Sequence, residues 1–251
     1  MCIRDSWGGL ALGPILGEAV LGDGRFVEVW LLAAGFCVLS AAIGLTLPET
    51  APKRAAGEEW SSRIVHPAAI GPGLVLALTV FGFAGLGTFA ALYARELGMD
   101  GAGTVFLVFS IVVVATRIVA RQAPDRLGPK RASGTALLLI SAGLLVIGLW
   151  NVPAGLYVGT VVLAFGQALA FPALMTLAVN GAPARERSSV VGTFTAFTEL
   201  GFAVGALALG AVASSVGYDG LFVVCAVGPM LGLLVLARVA GPRALPIPDA
   251  A

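Results

Sequence analysis

The chain has 251 residues, 58% of them hydrophobic and 12% charged, with a net charge of +1. An ordinary soluble domain carries about 25% charged residues, and a soluble core of this length cannot hide a mean hydropathy of +0.97, so the expected solvent is a lipid bilayer. A near-neutral charge argues against a nucleic-acid partner.

A membrane-crossing helix needs about 20 apolar residues. Residues 1–6, Met1-Cys-Ile-Arg4-Asp5-Ser6, lack the apolar core of a secretory signal and are expected to be a non-native start. Eight spans follow, over 7–22 (short), 27–47, 69–93, 102–122, 132–150, 154–180, 188–215 and 220–240. Turn chemistry separates them: Gly22-Asp23-Gly24, Pro48-Glu49-Thr50, Gly98 to Gly101, Gly128-Pro129, Asn151 to Pro153, Gly181 to Pro183 and Gly217 to Gly220. The longest polar stretch, 49–67, places an exposed linker at 48–68 and with it His66, the single histidine, expected to be solvated. Residues 241–251 are expected to be a tail. Cys2, Cys37 and Cys225 have no metal-ligand or redox spacing and read as small buried hydrophobes. One histidine makes a histidine-based metal site or a Ser-His-Asp triad untenable, and no phosphate-binding loop is present. Neither an enzyme nor a cofactor or metal site is expected.

Labelling the loops alternately gives one side Lys53, Arg54, Arg63, Arg117, Arg121, Arg126, Lys130, Arg131, Arg185, Arg187, Arg238 and Arg243. The other side receives Arg25 and Arg95. Positive loops stay in the cytoplasm, so a multi-pass protein of the plasma (inner) membrane with both termini cytoplasmic is expected. Trp30, Tyr93, Trp150 and Tyr218 fall near the opposite ends, where amphipathic rings prefer the membrane interface. Many of the 34 glycines lie inside the spans, where small residues let helix backbones approach closely. Gly13 and Gly17 form one such pair, and Gly201 and Gly205 another, at corresponding places six spans apart.

Five stretches carry a family resemblance. Thr46-Leu-Pro48-Glu49-Thr50 resembles the end of the sixth helix of the major facilitator superfamily, and Gly13-Pro14-x-x-Gly17 its antiporter-type fifth-helix motif, apart from Glu18 where a small residue is usual. Asp125-Arg126-Leu-Gly128-Pro-Lys130-Arg131 resembles the loop between helices eight and nine, with Arg121 where glycine is favoured. Pro172 to Arg187 resembles the end of helix ten and its basic loop, and Glu199-Leu-Gly201 a pattern in helix eleven of sugar-efflux and drug-efflux-like members. The resemblance implies an all-α polytopic helical bundle. Residues 69–240 would be its six-helix C-terminal bundle, 7–47 the last two helices of the N-terminal bundle, and the first four helices would be missing partners.

The resemblance also assigns candidates. Glu199, near the middle of its span, is either a proton-coupling or substrate-contacting acid or a packing acid at the bundle interface; a carboxylate there costs about 2.5–3.5 kcal/mol. Gln167 either lines the substrate cavity or makes an interhelical hydrogen bond, and Thr79, Thr88, Phe83 and Phe89 either face the cavity or pack. Pro172 breaks its span as a candidate hinge. Arg117, Arg121, Asp125, Arg126, Lys130 and Arg131 form either a cytoplasmic charge network that latches two bundles or plain positive-inside anchoring. Glu18 and Glu28 read as solvated. The implied function is secondary active transport of a small organic solute by alternating access, of efflux or proton-coupled type, with protons a candidate coupling ion and this chain inactive alone. The alternative is a polytopic scaffold that transports nothing.

Overall fold

The computed structural model describes residues 13, 16–17, 19–21, 24–46, 65–119 and 127–239, and among them every regular element is a helix. In chain order these are α1 (Phe26–Leu45), α2 (Pro67–Glu96), α3 (Gly103–Val119), α4 (Pro129–Leu149), α5 (Pro153–Asn180), a single 3₁₀ turn (Ala184–Glu186) and α6 (Arg187–Arg238). Pro14, Glu18, Arg121, Asp125 and Arg126, most of the 48–68 linker and the 241–251 tail lie outside the described residues. Three helices open on a proline, Pro67, Pro129 and Pro153, whose fixed φ suits the first helical position and whose missing N–H costs nothing there.

Among the described residues, five helices are long and apolar enough to cross a membrane, and the 17-residue α3 is shorter. The fold is all-α and polytopic. At 1.5 Å per residue, the 52 residues of α6 would stretch about 78 Å, more than twice the roughly 30 Å hydrocarbon core. The helix is interrupted at Gly217, with φ 77° and ψ 176°, and there the chain reverses.

Close contacts fix the directions. Gly73 lies against Phe197, Gly201 against Ala77 and Gly205 against Phe81 and Ala84, so α2 and the first half of α6 run parallel. Gly71 lies against Val239, Gly228 against Leu78 and Gly82 against Cys225, so the second half runs antiparallel to α2. Gly143 meets Gly159 and Leu163 while Gly166 meets Ala136, so α4 and α5 are antiparallel. Six rods therefore alternate in direction from α2 onward. The core falls into two levels: Phe83, Tyr93, Phe109, Ile147 and Phe222 towards one end, and Leu76, Leu137, Leu174 and Phe194 towards the other. Helix α1 buries no residue, and Glu28 pairs with Arg25 at 3.1 Å on its open surface.

Three expectations are corrected. Tyr93 is not an interfacial anchor but lies inside the bundle, 2% exposed, donating its hydroxyl to the Ile147 carbonyl at 3.1 Å. That carbonyl belongs to the last turn of α4, whose oxygens have no partner within the helix. Pro172 does not break its span; α5 is continuous through it. Of the described cysteines Cys225 is buried, but Cys37 is exposed, because none of the described residues covers α1.

Candidate functional site

The alternating directions bring Arg117, Lys130, Arg131, Arg185, Arg187 and Arg238 to one end of the six rods. Lys130 donates to the carbonyls of Ala237 at 3.2 Å and Val239 at 2.7 Å. It thus neutralises the unpartnered oxygens and negative dipole end of α6. Arg117 is half-buried in the last turn of α3, and Arg131 is exposed.

At the same end stands a group that sequence reasoning misplaced. His66 is 5% exposed, not solvated. It is the N-cap of α2: its Nδ1 accepts from the Ala68 amide at 3.2 Å. Its own amide donates to Thr193 Oγ1 at 2.9 Å, and Nε2 lies 2.9 Å from Glu186 Oε2. The hydrogen bond from His66 holds the Glu186 carboxyl below the usual carboxylate range, against a partial burial that raises it, with Arg185 helping to lower it. A carboxyl depressed in this way stabilises the fold fully above its unfolded value and loses that contribution as pH falls through the depressed one. The local signal was a histidine immediately before a proline at the head of an apolar run; its partners lie 120 and 127 positions away.

At mid-depth the candidates separate. Thr79 is fully buried and donates to the Val75 carbonyl one turn back at 2.7 Å, so its hydroxyl is satisfied within its own helix. Phe83 is packed, stacked on Phe109 at 5.4 Å between centroids and edge-on to Phe202 at 6.5 Å. Phe89 packs beside Tyr218. Thr88 is exposed. Gln167 is 8% exposed, and its side-chain carbonyl oxygen is buried without a hydrogen-bond partner. The hydroxyls of Ser110, Ser141 and Thr160 share that condition; they are polar atoms inside apolar runs, and their one signal in the sequence is that position. An unsatisfied buried polar atom calls for water, a ligand or a strain account.

Glu199 is exposed. Two residues further on, Gly201 presses on Ala77; two residues span about 200° of helix, so Glu199 points away from α2. Gly201 and Gly205 are packing positions against α2, whereas Gly13 and Gly17 have nothing within 4 Å of a built Cβ. At the far end, an open cavity of about 530 Å³ lies where α2, α3 and α5 meet, lined by Arg95, Met99, Asp100, Thr104 and Tyr157 among others. The Thr104 and Tyr157 hydroxyls are 2.6 Å apart.

Comparison with known proteins places this arrangement. The MFS-type transporter YhhS of Escherichia coli O6:H1 is 28% identical over 246 residues, 98% of this chain and 60% of the relative. YhhS of Salmonella paratyphi C gives the same identity and coverage. The chain thus spans about three-fifths of the length of these relatives. Among solved structures, a peptide transporter POT in complex with sulfate superposes with a TM-score of 0.63 at 21% identity, over 77% of this chain and 42% of that one. The human organic anion transporter MFSD10 (TETRAN) gives 0.60 at 23% identity, over 66% and 40%. At these identities the two structures speak for the fold. The sequence profile of the Major Facilitator Superfamily matches residues 73–250, which is most of the chain and includes five of the six alternating rods entire, so the chain belongs to that superfamily, whose members are membrane transport proteins and not enzymes.

Proposed function

We propose that this chain supplies the C-terminal bundle, together with the two helices before it, of a secondary active transporter that moves a small organic solute by alternating access. The observation that carries this reading is Glu199, a carboxylate near the middle of a membrane-length rod, turned away from α2. Among the described residues it has no hydrogen-bond or ion-pair partner. Lipid would make it costly, by about 2.5–3.5 kcal/mol; a second bundle or a water-filled path relieves that cost. The unpartnered Gln167 oxygen is the second candidate contact for a solute. Thr79 and Phe83 are committed to packing and serve as scaffold in this reading.

The charged loop at 117–131 would act as the switching element, its acid and bases pairing with a neighbouring bundle in one state and releasing it in the other. Lys130 would stay with the end of α6. The basic end faces the cytoplasm in this reading, by the preference of Lys and Arg for that side. Reporters inserted after Asn151 and after Pro183 are then expected to answer from opposite sides of the membrane, the second from the cytoplasm; answers from one side would remove the topology.

Transport is tested by solute flux into or out of proteoliposomes, using the protein at the full length of its relatives under an imposed pH gradient, with Glu199→Gln beside it. Flux that follows the gradient in the parent and loses that dependence in Glu199→Gln supports an efflux or proton-coupled carrier. Unchanged dependence removes Glu199 from coupling. The absence of flux for every solute tried returns the alternative of a membrane scaffold.

A further inference from the structure

His66 sits where the polypeptide enters the bundle, and three contacts hold it. Its amide is bound to Thr193 of α6, its Nδ1 to the first amide of α2, and its Nε2 to Glu186 in the turn before α6. The Nδ1 contact fixes the tautomer. An N–H donates to that nitrogen, so it carries no proton, and the ring hydrogen is on Nε2, directed at the Glu186 carboxylate. We propose that His66, Glu186 and Thr193 form a proton-sensitive clasp: with the ring neutral it locks the first turn of α2 to the start of α6, and a proton taken up at Nδ1 opens that turn.

A proton at Nδ1 converts an acceptor into a donor that faces another donor. Pro67 has no amide, so Ala68 supplies the first N–H of α2, and losing its acceptor leaves the helix uncapped. The positive end of the helix dipole also opposes a cation at this point. Charged groups among the described residues surround the ring on several sides. Glu186 faces the ring at Nε2, 2.9 Å away. Arg185 lies 3.5 Å from the other Glu186 oxygen, and Arg187 follows it in the chain. Val239 packs on Gly71 in the second turn of α2, which brings Arg238 and the Lys130 ammonium to that side. Helix α5 contributes its last turn, where Gly181 meets Ala68, without an ionisable group. Glu186 stays ionised through the range of about pH 5–8 in which histidine changes charge, because its carboxyl is held low. The protonated ring therefore remains tethered to Glu186 as an ion pair while the cap is lost. The motion is a fraying of the first turn of α2, where the expected linker between bundles joins it, and not a release of α6. This inference does not depend on the transport reading.

The sequence contains one histidine, so ¹⁵N-histidine labelling of the full chain in nanodiscs reports a single ring. The expected result at pH 8 is the tautomer protonated at Nε2. As acidification adds the second ring proton, the protection of amides 68–71 against hydrogen exchange, corrected for intrinsic rate, is expected to fall by about fivefold, the scale of a lost cap. His66→Asn keeps an acceptor that does not titrate, and its protection is expected to stay flat over the same range. An Nδ1-protonated ring at pH 8 overturns the proposal, as does wild-type protection that changes with pH no more than in His66→Asn. If the variant does not fold, wild-type protection that stays constant while the ring titrates overturns it equally.

Discussion

Gly201→Leu is expected to unseat α6 from α2 and to remove at least about 3 kcal/mol of stability, the upper part of the range for overpacking. A Cβ at Gly201 would stand 2.5 Å from the Ala77 carbonyl oxygen and 2.9 Å from its Cα. These are backbone atoms, and no rotamer change can move them aside. The two helices must separate along the whole crossing, and in lipid no hydrophobic force between helices compensates for the packing lost. The measurement is unfolding of the chain in mild detergent, by heat or by titration with a denaturing detergent. Two glycines of the same helix serve as controls, since Gly192 and Gly210 have nothing within 4 Å of a built Cβ; leucine there is expected to change stability by no more than about 0.5 kcal/mol. The neighbouring contact sharpens the test. At Gly205 the nearest atom is the Ala84 Cβ at 2.8 Å, so Ala84→Gly should recover part of the loss in Gly205→Ala. Ala77→Gly should recover none of the loss at Gly201. Equal losses at Gly201 and Gly210 would show that the crossing does not support the bundle.

The helices themselves were legible because a membrane span is a one-dimensional property. The expected 27–47, 69–93, 102–122, 132–150 and 154–180 lie within a few residues of α1 to α5. The largest discrepancies at the helix starts, at Pro67 and Pro129, arise because proline begins each helix ahead of the expected apolar run, directly after His66 in one and directly before Lys130 and Arg131 in the other. What the sequence withheld depends on partners far apart in the chain. His66 looked like one more polar linker residue, and nothing local says that Glu186 and Thr193 come to meet it. Tyr93 looked like an interfacial ring because its place near the end of a span is the same whether it faces lipid or the open carbonyls of α4.

The glycines divide in the same way. Small residues inside spans predict close crossings, and the small-xxx-small spacing marks Gly201 and Gly205 but not the pair Gly143 and Gly159, which lie on different helices. A Cβ at Gly143 would lie 2.6 Å from the Gly159 oxygen and from the Leu163 nitrogen, as tight an approach as the one at Gly201. With 34 glycines in the sequence, pattern alone cannot say which sit at a crossing. Chemistry alone marked Glu199 and Gln167 as candidates, because an ionisable or amide group deep in an apolar run is costly wherever it points. It was misleading for Thr79, whose hydroxyl turns back onto Val75.

The second large effect is expected at Gly217. Its φ of 77° with ψ of 176° belongs to a region essentially reserved for glycine, where another residue costs about 1–3 kcal/mol. A side chain there would also bring its Cβ to 2.8 Å from the Asp219 carboxylate, and Asp219 accepts a hydrogen bond at 3.4 Å from Asn151 in the connection between α4 and α5. The local cost understates the consequence. The chain on both sides is helical, so relief of the strain is available by closing the break and continuing one rod. That rod, about 78 Å long at 1.5 Å per residue, cannot return residues 218–238 into the bilayer. The contacts of Gly82 with Cys225, Gly228 with Leu78 and Lys130 with Val239 would then be lost together. Gly217→Val is therefore expected to abolish the six-rod bundle, with a reporter at the C-terminus moving to the opposite side of the membrane or the protein failing to accumulate. Gly217→Asn is expected to be no better tolerated than Gly217→Ala, because asparagine is at home in the left-handed helical region, not at ψ near 180°. Normal accumulation and an unmoved reporter in Gly217→Val would mean that the reversal between the last two spans is set by their packing on α2, and that glycine there follows from the turn instead of causing it.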